Sequence, residues 1–324
     1  MRNHLSSLFC LLALGLLVCC EAGSLRKNFY QHTCPLAEKI IQDVTGKHVA
    51  ANPAVPARLL RMHFHDCFVR GCDGSILLNS TASNTAEKGA TPNLTLLNFD
   101  VIDDIKANVE KACPGVVSCA DILALAARDS VSFKFKRPLW KVLTGRRDGT
   151  ISRDSEAIAN LPSAKSDFAA LKQKFSTKGL TVHDLVVLSG GHTIGVGHCN
   201  AFSNRLYNFK GKGIQDPSLN PAYATFLKTK CRSTSDNTTF VEMDQNSSII
   251  FDNHYYVGLE QNKGLFQSDA ALLTNKGARN IVRELLKSSK FFTEFAQSMV
   301  RMGAIDVLSG NQGQIRKHCA FVNS

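Results

Sequence analysis

Past its first two dozen residues, this chain of 324 has no apolar run long enough to cross a bilayer, which excludes a polytopic membrane protein. It has no paired Cys-x-x-Cys knuckles, so a cysteine-held zinc is not indicated. No internal repeat is visible, and convincing alternating strands are few. Basic residues are scattered rather than gathered in a stretch interleaved with aromatics, which argues against a nucleic-acid partner. With 20% charged and 44% hydrophobic residues, neither a disordered chain nor a coiled coil is indicated. Such a chain can bury one large core or two lobes around a cleft.

What is present begins with export. Arg2, an apolar run over residues 8–20 and the small Ala22 and Gly23 form the pattern of a secretory signal over residues 1–24, with a boundary good to about two residues. Residues 25–324 then form a single domain with no membrane contact. Of eleven cysteines, Cys10, Cys19 and Cys20 leave with the signal. Cys34, Cys67, Cys72, Cys113, Cys119, Cys199, Cys231 and Cys319 remain, and an even set in an exported chain predicts four disulfides. Spacing alone leaves all 105 pairings open. Sequons at Asn79, Asn93, Asn237 and Asn246 agree with export. Signal removal takes Arg2 and Glu21 together, so the formal charge stays at +11. A basic secreted protein is expected to adsorb to acidic polysaccharide.

Apolar spacing predicts helices over residues 36–49, 99–113, 168–175, 223–230, 279–286 and 292–302, with Pro114-Gly115 and Lys178-Gly179 as stop signals. Residues 122–128 are apolar almost all round, which suits a central buried helix opened by Ser118-Cys119-Ala120-Asp121, with Asp121 as a cap residue. Thr181, with Asp184 three residues on, caps the helix leading through residues 185–188. Residues 71–95 and much of 204–246 read as loop. The class is mainly α.

The chemistry concentrates at Arg61-Met62-His63-Phe64-His65-Asp66-Cys67-Phe68. In a helix Arg61 and His65 stand one turn apart on one face, where a fixed cation beside an imidazole can move a proton and stabilise a growing negative charge. A lone Arg-x-x-x-His more often faces solvent. The continuation into Gly71-Cys72-Asp73-Gly74-Ser75, rich in oxygen ligands, gives this stretch its weight. A second stretch, Ser189-Gly190-Gly191-His192-Thr193-Ile194-Gly195, sets glycines beside a histidine, so that backbone or a flat ligand can approach closely. Residues 244–252 form another oxygen-rich segment. A zinc hydrolase using His63, His65 and Asp66 is a poor rival, because residues two apart on a helix point in widely separated directions.

Taken together, Arg61-x-x-Phe64-His65-Asp66-Cys67-Phe68 and Leu188-Ser189-Gly190-Gly191-His192-Thr193-Ile194-Gly195 resemble the motifs of secretory plant haem peroxidases of class III. The resemblance runs from Phe29-Tyr30-x-x-Thr33-Cys34-Pro35 to Cys319. It implies a mainly α, two-lobed haem peroxidase fold with one haem b between distal and proximal lobes. By the same resemblance His65 is the distal base, Arg61 its cationic partner and Asn93 the amide that keeps it basic. His192 is the axial ligand of the iron, Asp269 its carboxylate partner, and Pro162 marks the aromatic-donor site. The implied disulfides are Cys34–Cys113, Cys67–Cys72, Cys119–Cys319 and Cys199–Cys231, and Asp121 with Arg146 matches a buried ion pair.

Two calcium ions are implied as well. Asp66, Val69, Gly71, Asp73 and Ser75, with Glu87 in the outer shell, match the distal site. Thr193, Asp244, Ser247, Ile250 and Asp252 match the proximal one. Hard oxygen ligands in this number suit calcium. Ser247-Ser248 stands where Thr-Pro is usual in the family, and Ala164 replaces a frequent second proline at the donor rim.

The implied activity is reduction of hydrogen peroxide to water, with two one-electron oxidations of a phenolic donor. The expected roles are cell-wall phenolic polymerisation, response to oxidative stress and peroxide removal, by a monomer. A secreted binding protein that keeps the fold without turnover is countered by the intact Arg61, His65, Asn93, His192 and Asp269. The chain stops five residues after Cys319, without the longer extension of vacuolar relatives and without an ER-retention tetrapeptide, so an extracellular location in the apoplast or cell wall is expected.

Overall fold

The structure, a computed structural model, describes residues 25–324. The signal expected over residues 1–24 lies outside the described residues. Helices α1 (Ala37–Ala51), α2 (Val55–Val69), α3 (Phe99–Ala112) and α4 (Cys119–Ser132) build one lobe. All 14 residues of α4 are buried, and α1, α2 and α3 pack around it. Its N-terminus is capped by Ser118 rather than Asp121, for the Asp121 backbone N–H donates to Ser118 Oγ at 3.1 Å. The Asp121 carboxylate is thereby free to accept from Arg146 Nη1 at 2.7 Å, forming the expected buried pair.

Residues 71–95, expected as loop, contain three short 3-10 turns, Ser75–Leu77, Glu87–Gly89 and Thr91–Asn93. Next come α5 (Asp154–Asn160), α6 (Phe168–Thr177) and α7 (Val182–Ser189), the last opened by a reciprocal capping box between Thr181 and Asp184. A small third unit joins α8 (Cys199–Tyr207) and α9 (Pro221–Lys230) to a two-stranded sheet of β1 (Val196–His198) and β2 (Phe240–Glu242), antiparallel with Gly197 opposite Val241. The second lobe is completed by α10 (His254–Glu260), α11 (Gln267–Ala271), α12 (Lys276–Glu284) and α13 (Ser288–Met302), with α12 and α13 against α7.

The two lobes share α2. Val55, Leu59 and Met62 belong to the core formed with α1, α3 and α4, whereas Leu60, Cys67, Phe68 and Val69 belong to the larger core with α6, α7, α10, α12 and α13. At about 100° per residue, Arg61 and His65 stand about 40° apart, so both point the same way from α2. All four expected disulfides form: Cys34–Cys113, Cys67–Cys72, Cys119–Cys319 and Cys199–Cys231. Among the described residues no helix is long and apolar enough to cross a membrane.

Candidate active site

His65 sits on the same side of α2 as Arg61, buried, with its ring edge-on to Phe64 at 5.3 Å. Its Nδ1 lies 2.5 Å from Asn93 Oδ1. The Asn93 amide is oriented by its own Nδ2, which donates to the Glu87 carbonyl at 2.8 Å. With the Asn93 oxygen turned towards the ring, Nδ1 must carry the proton, and Nε2 keeps a lone pair for an incoming proton. Burial, and then the nearby Arg61 charge, lower the imidazole to about 3, while the Asn93 bond pulls it partly back. The ring is therefore neutral at neutral pH. Arg61 donates to Thr95 Oγ1 at 3.0 Å and to the Pro92 carbonyl at 2.7 Å. Desolvation lowers its guanidinium only to about 10, so it remains a cation.

On the other side, His192 lies in the 3-10 turn Gly190–Thr193 that follows α7. Gly190 is required there, because a Cβ would collide with the Tyr256 hydroxyl and the Phe291 ring. His192 Nδ1 is 2.8 Å from Asp269 Oδ1, and the Asp269 side chain is 1% exposed against 38% for His192. Burial alone would raise Asp269, but the His192 charge, the bond to His192, the Phe266 N–H and the Tyr255 hydroxyl together hold it below the usual carboxylate value. The Tyr255 and Phe266 rings meet the imidazole edge-on at 5.9 and 5.5 Å. A Cβ on Gly191 would lie 3.5 Å from Leu60 Cδ2, so α2 passes directly beside this turn.

These residues fit haem on the structure's own terms. Two histidines on adjoining elements each have Nδ1 tied to a side-chain oxygen, which leaves both Nε2 atoms for a ligand or substrate. Arg61 and Phe64 on α2, and Leu188, Ser189 and His192 at the end of α7 and the turn after it, stay half-buried and so leave surface that a ligand could cover.

The distal oxygen set is brought together. Asp66 accepts from the backbone of Gly74 at 3.0 Å and Ile76 at 3.4 Å, and Asp73 from Ser75 N at 3.0 Å. Ser75 Oγ and both carboxylate oxygens of Glu87 are buried without a hydrogen-bond partner. Burial, reinforced by Asp73, pushes Glu87 up to about 8, and burial with the same neighbour raises Asp66 as well. Such a concentration of enclosed, orphaned oxygens suits a divalent cation. Of the two backbone carbonyls, Gly71 accepts from Asp73 N at 2.8 Å and Val69 from Lys178 Nζ at 2.9 Å.

The proximal set is looser. Thr193 Oγ1 donates to Asp252 Oδ1 at 3.0 Å and lies 3.5 Å from Asp244 Oδ2, while His254 Nδ1 is 2.7 Å from Asp244 Oδ1. Ser247 and Ile250 follow in one turn, joined by an Ile250 N to Ser247 carbonyl bond of 3.0 Å. Two carboxylates and two hydroxyls still make a hard donor set. Where proline is usual, the Ser248 hydroxyl donates to Glu242 Oε1 at 2.7 Å, a bond proline cannot make.

His63, Cys67 and Cys72 approach one another closely, but the Cys67–Cys72 disulfide leaves no thiolate for a metal. Two residues that the sequence did not mark hold the Asp269 segment. Arg205, paired with Asp216 at 2.8 Å, also donates to the carbonyls of Gly264, Leu265 and Phe266. Tyr255 donates directly to Asp269 at 3.0 Å. Neither carries a sequence signal, since both act through a fold-dependent approach.

A mainly helical, two-lobed fold closed by four disulfides is that of a haem peroxidase. The family model described as Peroxidase matches residues 41–288. The chain is 53% identical to Peroxidase 39 of Arabidopsis thaliana over 99% of each chain, and 53% identical to Peroxidase 3 of the same plant over 93% of each. Peroxidase 24 of that plant is 52% identical over 93% of this chain and 88% of the relative. The chain belongs to the class III plant peroxidases and is a haem-dependent peroxidase acting on hydrogen peroxide.

Proposed function

We propose that this enzyme oxidises small phenolic donors outside the cell, with His65 as proton-transfer base, Arg61 as charge stabiliser and His192 as the iron ligand. The observation that carries the reading is the buried His65–Asn93 pair, whose hydrogen bond fixes the tautomer a base needs. Haem b, when bound, supplies an iron centre that takes two oxidising equivalents from peroxide and passes them on singly to donors. His65 Nε2 takes the proton from one peroxide oxygen and returns it to the other, which leaves as water. Arg61 stabilises the negative charge growing on that departing oxygen. Asp269 holds the His192 Nδ1 proton and makes Nε2 the more electron-donating atom. The Asp66–Asp73–Ser75–Glu87 set would hold one calcium and the Thr193–Asp244–Ser247–Ile250–Asp252 set a second. The latter anchors the residue next to His192.

An apolar rim supports phenolic donors. The Thr91–Asn93 turn packs on α5, and Leu94 just after the turn and Ile158 on α5 are exposed. Pro162 lies just beyond α5, and the carbonyl of Ala164 accepts from Ser268 N at 3.0 Å, tying this rim to the segment that carries Asp269. Four disulfides suit an oxidising extracellular compartment, and the charge of +11 suits adsorption to acidic wall polysaccharide. Phenolic polymerisation in the wall and peroxide removal under oxidative stress are the roles that follow, for a monomer in the apoplast. Steady-state kinetics against a panel of phenols tests the donor class. Saturable peroxide-dependent oxidation of phenols is expected, and turnover confined to non-aromatic donors would overturn it.

A further inference from the structure

Asp269 receives more donors than a simple partner of His192 requires. Its Oδ1 accepts from His192 Nδ1 at 2.8 Å and also from the Tyr255 hydroxyl at 3.0 Å, while Oδ2 accepts from the Phe266 backbone at 2.8 Å. Tyr255 lies on α10, buried, its ring 5.9 Å from the His192 ring and 5.1 Å from that of Tyr256. Two donors on one oxygen share its charge, so the phenol O–H weakens the pull that Asp269 exerts on the His192 N–H.

We propose that Tyr255 is a positioning residue that limits the imidazolate character of His192 through Asp269 and thereby sets the reduction potential of the haem. This rests on the reading of His192 as iron ligand with Asp269 as its partner. Removing the hydroxyl concentrates the carboxylate charge on the His192 proton. The ring becomes a stronger donor, ferric iron is favoured, and the potential falls. A hydroxyl that merely satisfied a buried carboxylate would affect stability and leave the potential where it was. Phenylalanine keeps the ring and its packing, so the substitution removes little but the hydrogen bond.

The test is spectroelectrochemical titration of the haem-loaded enzyme as native protein, Tyr255→Phe, Asp269→Asn and the double variant. Tyr255→Phe is expected to favour the ferric form about tenfold, a negative shift of about 59 mV for one electron. Asp269→Asn should move the potential the other way, and Tyr255→Phe should then have no effect in that background. In the ferrous enzyme the iron–imidazole Raman band should rise in frequency in Tyr255→Phe alone. An unchanged or more positive potential in Tyr255→Phe overturns the proposal, as does a shift that persists in the double variant. An unmoved potential in Asp269→Asn instead overturns the proximal-pair reading on which the proposal rests.

Discussion

Replacing Asn93 with valine removes the acceptor that holds the His65 Nδ1 proton while leaving a side chain of similar bulk. The bond lost is 2.5 Å long and lies between residues 2% and 5% exposed, so water cannot readily replace it. A hydrogen bond to a group that becomes charged is worth about 1.5–3 kcal/mol. At about 1.4 kcal/mol for each factor of ten, His65 becomes roughly 10- to 100-fold less basic. If the transition state feels the whole loss, peroxide activation slows about 10- to 100-fold. The sign of the pH effect is also fixed. In the native enzyme burial and Arg61 already place the imidazole at about 3, and the Asn93 bond raises it. The variant's acid limb therefore moves to lower pH while its plateau falls. Stopped-flow absorbance of the haem band after mixing with peroxide, from about pH 3 to about pH 8, measures the plateau, and the native fall towards the acid end of that range should be missing from the variant. A plateau within about twofold of native, with haem still bound, would refute the assignment of Asn93 to His65.

Three further outcomes are expected. Arg146→Met leaves the buried Asp121 carboxylate with only Tyr30 and the Gly145 N–H as donors, and denaturant melts should show a loss of about 3–5 kcal/mol; a loss under about 1 kcal/mol would mean that the pair is dispensable. Peptide mapping should find Asn93 unmodified, because it is buried, and glycans on the exposed Asn79 and Asn237; modified Asn93 in active enzyme would contradict its place beside His65. Asp66→Ala should remove one calcium by elemental analysis, and chelation of the native enzyme should lower activity and shift the haem spectrum. An unchanged calcium content in Asp66→Ala would refute the distal site.

How far the sequence carried depended on element length and on distance along the chain. Helices α6 and α7 were legible because their spacing and their Lys178-Gly179 and Thr181–Asp184 boundaries agree. At five to seven residues, α5, α10 and α11 are too short for periodicity to mark, and three-residue strands cannot show alternation. Asp121 reads locally as a cap, and only the approach of Arg146 gives it a different task. Asp73, Ser75 and Glu87 look like ordinary turn residues until burial strips them of water. Arg205 and Tyr255 support Asp269 from 64 and 14 residues away and stayed invisible for that reason.

The most direct measurement compares native enzyme with His65→Ala, both haem-loaded, in single-turnover reaction with peroxide. General acid–base catalysis at this site is expected to be worth about 10²–10⁴-fold, so the variant should bind haem normally and react slower by that factor. Equal rates in the two proteins would contradict the claim that His65 moves the peroxide proton.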